Sequence, residues 1–278
     1  MFKKRLVALL CGAVVVSGLA VGCGSGDDEK GGTSKITVSG STSVGPTMEV
    51  LAQAYEKNND VKIEVQQVGS SAGIKNTIEG TSDLGMSSRD LKDEEAQSVD
   101  GTQIAIDGIA VVTHKDNKVT DLTIDQVKDI FTGKITNWKE VGGDDAKIVA
   151  LSRDSSSGTH EFFKEHIIRE GNSKGTQEYG AKTLYMPSNE AIKQEIKANK
   201  YAIGYIGMGY MDSSVEAITV DGAAATPENV LNKTYPIARE VFWYADAARE
   251  GEVKGIVDYA VSSEGQEIMK NEGFVPVK

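Results

Sequence analysis

Short apolar runs rich in β-branched residues alternate with amphipathic stretches along this chain, and the rhythm begins at Lys35. KITVSG (35–40) alternates as a strand does, and residues 46–57 put Met48, Leu51, Ala52 and Tyr55 on one helical face. VKIEVQQVG (61–69) predicts a second strand, residues 71–79 a short helix, and DLGMSS (83–88) a brief strand. IAIDGIAVVTH (104–114) is a longer apolar run with Gly108 inside it. Ile124, Val127, Ile130 and Phe131 recur at helical spacing within 123–134. KIVALS (147–152), AIGYIGMGY (202–210) and YPIAREVFWYA (235–245) read as strands, 160–170 and 189–200 as helices, and 251–272 as one or two closing helices. This alternation predicts an α/β architecture in which helices flank largely parallel sheets.

The start of the chain follows another pattern. Lys3, Lys4 and Arg5 precede an apolar run from Leu6 to Val16, the layout of a signal peptide over residues 1–22. Ser17 and Gly18 interrupt that run too early for a membrane span. Leu19-Ala20-Val21-Gly22-Cys23 resembles a bacterial lipobox, with its leucine one place further from the cysteine than usual. Cys23 is therefore expected to carry lipid, and residues 23–34 to form a flexible Gly/Ser/acid tether behind it. Cys11 and Cys23 are the chain's two cysteines, so the folded part has no disulfide and no thiolate metal site. The net charge of −11 becomes −14 once the three leader cations are removed. That charge opposes nucleic-acid binding, which needs a basic surface. It also requires that any bound anion be held by local geometry.

Four strand-to-helix junctions share a composition suited to that task. GSTSVGP (40–46), GSSAG (69–73), MSSRD (86–90) and SRDSSSGT (152–159) carry runs of two or three hydroxyls, at 41–43, 70–71, 87–88 and 155–157. The first N–H groups of a helix lack internal partners, and the macrodipole adds partial positive charge there. An anion can take those donors, while Ser and Thr add O–H donors without net charge. One helix cap needs only one hydroxyl, so the doubling points beyond capping. Strand ends of an α/β sheet also gather along one edge, and Arg153 adds a group that can grip an oxyanion with two parallel bonds.

Other chemistries fit poorly. Ser157 lies three residues before His160, but Ser155 and Thr159 occupy the glycine positions of a nucleophile elbow. GTSDLGMS (80–87) spaces its glycines like a phosphate-binding loop of nucleotide hydrolases, with Met86 where the lysine belongs. His114, His160 and His166 form no zinc motif and read as surface or cap residues. Trp138 and Trp243 read as core residues in preference to a sugar-stacking platform. No cofactor or metal is indicated.

GSTSVGP, VGSSAGIK, DLGMSSRDL, DIFTGKITNWKEVGG (129–143) and SRDSSSGTHEFF (152–163) occur together in one order. In this the chain resembles the phosphate-binding lipoproteins of bacterial phosphate ABC transporters, a branch of the type II periplasmic-binding-protein superfamily, over about residues 35–278. The resemblance implies two lobes, each a mostly parallel sheet flanked by helices, joined by two crossings. Lobe one would comprise 35–108 plus 236–278 and lobe two 112–225, with hinges at 109–111 and 226–235. It implies phosphate contacts from Thr42, Ser43, Ser70, Ser88, Arg153, Ser157, Gly158 and Thr159, with Ser71 and Arg89 as secondary candidates. It also implies a monomeric, non-enzymatic receptor, lipid-anchored on the outer face of the cell membrane, that serves a permease with a cytoplasmic ATPase.

Two positions depart from the family pattern. Ser88 stands where better-known members place an aspartate that accepts the proton of hydrogen phosphate, so Asp90 or Asp154 is the candidate substitute. Ser155 stands where some members have an acid that orients the arginine, a task Asp154 could take. The Ser88 change keeps sulfate and molybdate open as ligands. A surface or sensory protein of the same fold is the remaining alternative.

Overall fold

A computed structural model describes residues 34–278 apart from Ser173, Ala247, Ala248 and Lys278. The expected signal peptide, Cys23 and nearly all of the tether lie outside the described residues. β1 (Ser34–Gly40) runs parallel to β2 (Val61–Gln67), and α1 (Gly45–Glu56) connects them. α1 carries Pro46 in its first turn, where the fixed φ is suitable, and buries Met48, Leu51 and Ala52. α2 (Ser70–Ile78) leads into β3 (Leu84–Ser87), which also pairs in parallel with β1. β4 (Val99–Thr113) starts five residues before the apolar run, because its first turns of strand are partly exposed and carry polar side chains.

The chain continues through β5 (Asp121–Leu122), α3 (Ile124–Phe131), β6 (Val149–Arg153) and α4 (Gly158–Phe163). Thr123 and Gln126 form a reciprocal cap at the start of α3. α4 is shorter than the expected 160–170 helix, and residues Lys164–Ile168 follow it as one wider turn. Next come β7 (Leu184–Met186), α5 (Asn189–Ala198), β8 (Ala202–Gly207), β9 (Glu216–Ala217), β10 (Thr219–Val220) and α6 (Pro227–Leu231). β11 (Ala238–Asp246) returns to the first half, where α7 (Glu250–Ala260) and α8 (Ser263–Asn271) close the described chain.

One sheet runs through the molecule in the order β2-β1-β3-β11-β4-β8-β6-β7, with β9 also on β4. Its outer strands pair in parallel, and its central ones, β3 with β11, β11 with β4 and β4 with β8, are antiparallel. β4 changes partner midway: Val99–Gly108 lies on β11, and Ile109–Thr113 on β8. Two cores result. One gathers Val38, Met48, Leu51, Leu84, Ile104 and Trp243; the other gathers Ile109, Val111, Phe131, Trp138, Phe163 and Tyr205. Both tryptophans are thus core residues. The segment 226–235 contains α6 and sends Val230 and Tyr235 into the second core.

Candidate anion-binding cleft

The hydroxyl-rich tips of both lobes meet where their strands end. Ser41, Thr42 and Ser43 lie between β1 and α1, Ser70 opens α2, and Ser88 follows β3. All are buried. From the other lobe come Arg153 at the end of β6 and Ser157, Gly158 and Thr159 at the start of α4, also buried. Ser88 Oγ lies 2.9 Å from Ser41 Oγ and 3.2 Å from Ser70 Oγ. Across the cleft, Ser43 Oγ lies 3.1 Å from Thr159 Oγ1. A Cβ added at Gly158 would stand 2.5 Å from Ser70 Oγ and 3.0 Å from Ser88 Oγ, so only glycine lets these tips meet. Of the eight principal residues expected from sequence, Ser43 thus meets Thr159, and Ser70 and Ser88 meet Gly158; Ser157 is engaged as the α4 cap, its Oγ accepting from the His160 N–H at 3.3 Å.

Arg153 supplies the charge. Its guanidinium donates from Nε to the Met186 carbonyl at 3.2 Å and from Nη2 to the Pro187 carbonyl at 2.9 Å. Nη1 is buried with no partner, and no carboxylate forms an ion pair with Arg153 among the described residues. Burial pushes its pKa down, and the nearby Arg239 charge adds to the effect. An arginine keeps its proton even so. A buried cation without a counter-ion is costly unless an anion completes it. Thr42 Oγ1 is a second buried group without a partner.

The two secondary candidates lie against each other. Both Arg89 terminal nitrogens bond Glu95 at 2.8 Å, and Nη2 also reaches Ser71 Oγ at 3.3 Å. Its Nε lies 2.5 Å from Glu161 of α4, so this ion pair links the lobes. Although burial opposes the charge, Glu95 and Glu161 hold the Arg89 pKa above its ordinary value. Asp90 is exposed, and Asp154 Oδ1 accepts from Ser156 N at 3.0 Å and from Ser156 Oγ at 2.6 Å. Main-chain carbonyls of 186 and 187 hence orient Arg153 directly, the position for which Asp154 was considered.

Sequence reasoning missed several neighbours. Asn189 Nδ2, at the start of α5, donates to Ser43 Oγ at 3.0 Å, and the Tyr210 hydroxyl donates to the Thr42 carbonyl. Arg239 of β11 donates to Ser43 Oγ at 3.3 Å and pairs with Asp107 of β4. His160 is not a surface residue: it is buried, stacks on Tyr179 at 4.7 Å and contacts Ser152 Oγ through Nδ1 at 3.2 Å. A signal for Asp107 was available, since it is the one charge within the apolar run 104–113. Arg239 gave none, because Glu240 follows it directly.

Two α/β lobes on one continuous sheet, with buried hydroxyl-rich tips that meet across them, have the architecture of a periplasmic-type substrate-binding protein. The family described as PBP superfamily domain matches residues 26–264. The chain is 30% identical over 283 residues to the phosphate-binding protein PstS of Borreliella burgdorferi, covering 99% of both chains. It is 32% identical to the Bacillus subtilis protein of that name, covering 100% of this chain and 95% of that one. The chain belongs to the PBP superfamily, in the group of the PstS phosphate-binding proteins. A structure from Clostridium perfringens with bound phosphate, described as a phosphate ABC transporter substrate-binding protein, superposes with TM-score 0.83 at 47% identity. That match covers 88% of this chain and all of that one. An ABC-type phosphate transport receptor from Vibrio cholerae matches with TM-score 0.72 at 34% identity, over 86% of this chain and 99% of that one.

Proposed function

We propose that this protein captures inorganic phosphate between its lobes and delivers it to an ABC permease on the extracytoplasmic face of the membrane. The observation that carries the reading is Arg153, a buried guanidinium with Nη1 unpartnered, in the lobe whose α4 tip meets the hydroxyls of the first lobe. Its contacts would be Arg153 Nη1, the hydroxyls of Thr42, Ser43, Ser70, Ser88 and Thr159, and main-chain N–H groups of the α4 first turn at Ser157–Thr159. The names and bound ligand of the relatives support phosphate as the guest. Cys23 would anchor the chain through lipid, with residues 24–34 as its leash. No helix among the described residues is long and apolar enough to cross a membrane.

A receptor role suits the side chains better than hydrolysis does. Ser157 Oγ accepts a main-chain N–H, and the His160 ring is held by buried Ser152 and Tyr179, so His160 does not address Ser157 as a base. Calorimetry should show one phosphate per chain, and Arg153→Gln should remove most of the heat. Retained binding in that variant would overturn the reading. One observation favours a broader oxyanion receptor: among the described residues Ser88 Oγ bonds hydroxyls and no carboxylate that could accept a ligand proton. Equal heats from sulfate and phosphate would decide for it.

A further inference from the structure

Ser43 stands at the centre of a bonding pattern that fixes which way its proton points. A hydroxyl has two lone pairs and one hydrogen. Arg239 Nη2 donates to Ser43 Oγ at 3.3 Å, and Asn189 Nδ2 donates to it at 3.0 Å. The amide orientation is set independently, because Asn189 Oδ1 accepts the Gly207 N–H at 3.4 Å. Both lone pairs of Ser43 are thereby taken, and its hydrogen can go only outward, to Thr159 Oγ1 at 3.1 Å or to a bound anion. The Ser41–Ser88–Ser70 group has no such lock, since among the described residues no cationic or amide side chain donates to it.

Arg239 also brings charge. Its side chain is 2% exposed and that of Asp107 1%. The two sit opposite each other on β11 and β4, and Nε and Nη2 both bond one oxygen, Oδ2, at 3.2 and 2.8 Å. Nη1 is buried without a partner, and the guanidinium lies 5.9 Å from the ring centroid of Phe162 on α4. Arg239 thus touches the first lobe through Ser43 and the second through Phe162, from a strand that belongs to the centre of the sheet.

We propose that Arg239 is a positioning residue of the anion site: with Asn189 it holds Ser43 as an obligate donor, and its charge, tempered by Asp107, reinforces that of Arg153. The inference rests on the phosphate reading. It sets opposite signs for two substitutions within one ion pair. Arg239→Gln removes the cation and leaves the Asp107 carboxylate near the anion, so phosphate binding weakens. Asp107→Asn leaves the lock on Ser43 and frees the full Arg239 charge, so binding tightens. A pair that served only to hold β4 against β11 would make both variants weaker.

The test is calorimetric titration of inorganic phosphate into the full-length chain, its two single variants and Arg239→Lys, with thermal melts alongside. Arg239→Gln should raise Kd roughly 10-fold or more, the loss expected for one hydrogen bond to a charged group. Arg239→Lys, which keeps the charge, should recover part of it. Asp107→Asn should lower Kd and enlarge the phosphate-induced rise in Tm, even with a lower Tm without ligand. Should Arg239→Gln fail to fold, the sign of the Asp107→Asn change still decides. A Kd raised in both variants, or raised in Asp107→Asn alone, overturns the proposal while the phosphate reading stands on the wild-type heat. No heat from the wild-type chain removes the phosphate reading and this inference with it.

Discussion

Gly158→Ala separates folding from binding. The residue opens α4 with an ordinary right-handed conformation, where alanine is the better helix former by up to about 1 kcal/mol. Taken alone, that would stabilise the chain. The new methyl carbon, however, would lie 2.5 Å from Ser70 Oγ, 2.9 Å from Ser70 Cβ and 3.0 Å from Ser88 Oγ, all on the opposite lobe. Ser70 cannot step back: it is fully buried at the first turn of α2, and its Oγ accepts the Ser88 N–H at 3.2 Å. Forcing one carbon into a packed contact costs about 1–3 kcal/mol. Because the contact exists only when the lobes meet, that cost falls on closure and raises the phosphate Kd about 5- to 150-fold. Calorimetry gives Kd, and melts with and without phosphate separate the two effects. The ligand-free Tm should hold or rise while the phosphate-induced shift shrinks. Wild-type affinity in Gly158→Ala would refute the proposed closing contact.

Three further outcomes follow from the same geometry. Glu161→Gln cuts the bridge from α4 to Arg89 and Lys92, so phosphate should dissociate roughly 3-fold faster or more in stopped-flow chase experiments; an unchanged rate would remove the bridge from the closing device. Tyr205→Phe deletes a hydroxyl that contacts Ser152 at 2.7 Å and Tyr179 at 2.8 Å, and chemical denaturation should show a loss of about 1–3 kcal/mol. Burial holds the His160 imidazole below its ordinary pKa, so the unfolded ring takes up a proton that the folded one refuses. That contribution to stability is complete above pH ~6.5 and is lost as the pH falls through the window below it; His160→Gln should flatten the Tm profile there, and an unaltered slope would place the acid sensitivity elsewhere.

Much of the fold could be read from periodicity because most strands are buried and most helices are two-faced. β7 escaped notice for the opposite reason: three residues, with Leu184 and Tyr185 exposed, carry no pattern. The expected hinge at 226–235 hides α6, a five-residue helix with one buried position, Val230, which is too short to show a periodicity. At the cleft, composition marked the tips, since paired hydroxyls at strand ends are local features. It could not mark Asn189, Tyr210 or Arg239, which reach Ser43 and Thr42 from 146, 168 and 196 residues away. Nor could it tell that Arg89 spends its donors on Glu95 and Glu161. Such choices depend on which acids the fold brings near, not on neighbours in sequence.

The partner change within β4 bears on how the molecule comes apart. Ile104 and Ala105 serve one hydrophobic interior and Ile109–Val112 the other, with three residues between them and no loop. Peeling this strand from either side strips both interiors of their middle element. Heating should therefore yield a single endotherm whose calorimetric and van't Hoff enthalpies agree, despite the two separate interiors. Unlike a pair of beads on a string, neither half is left with a complete sheet when the other melts.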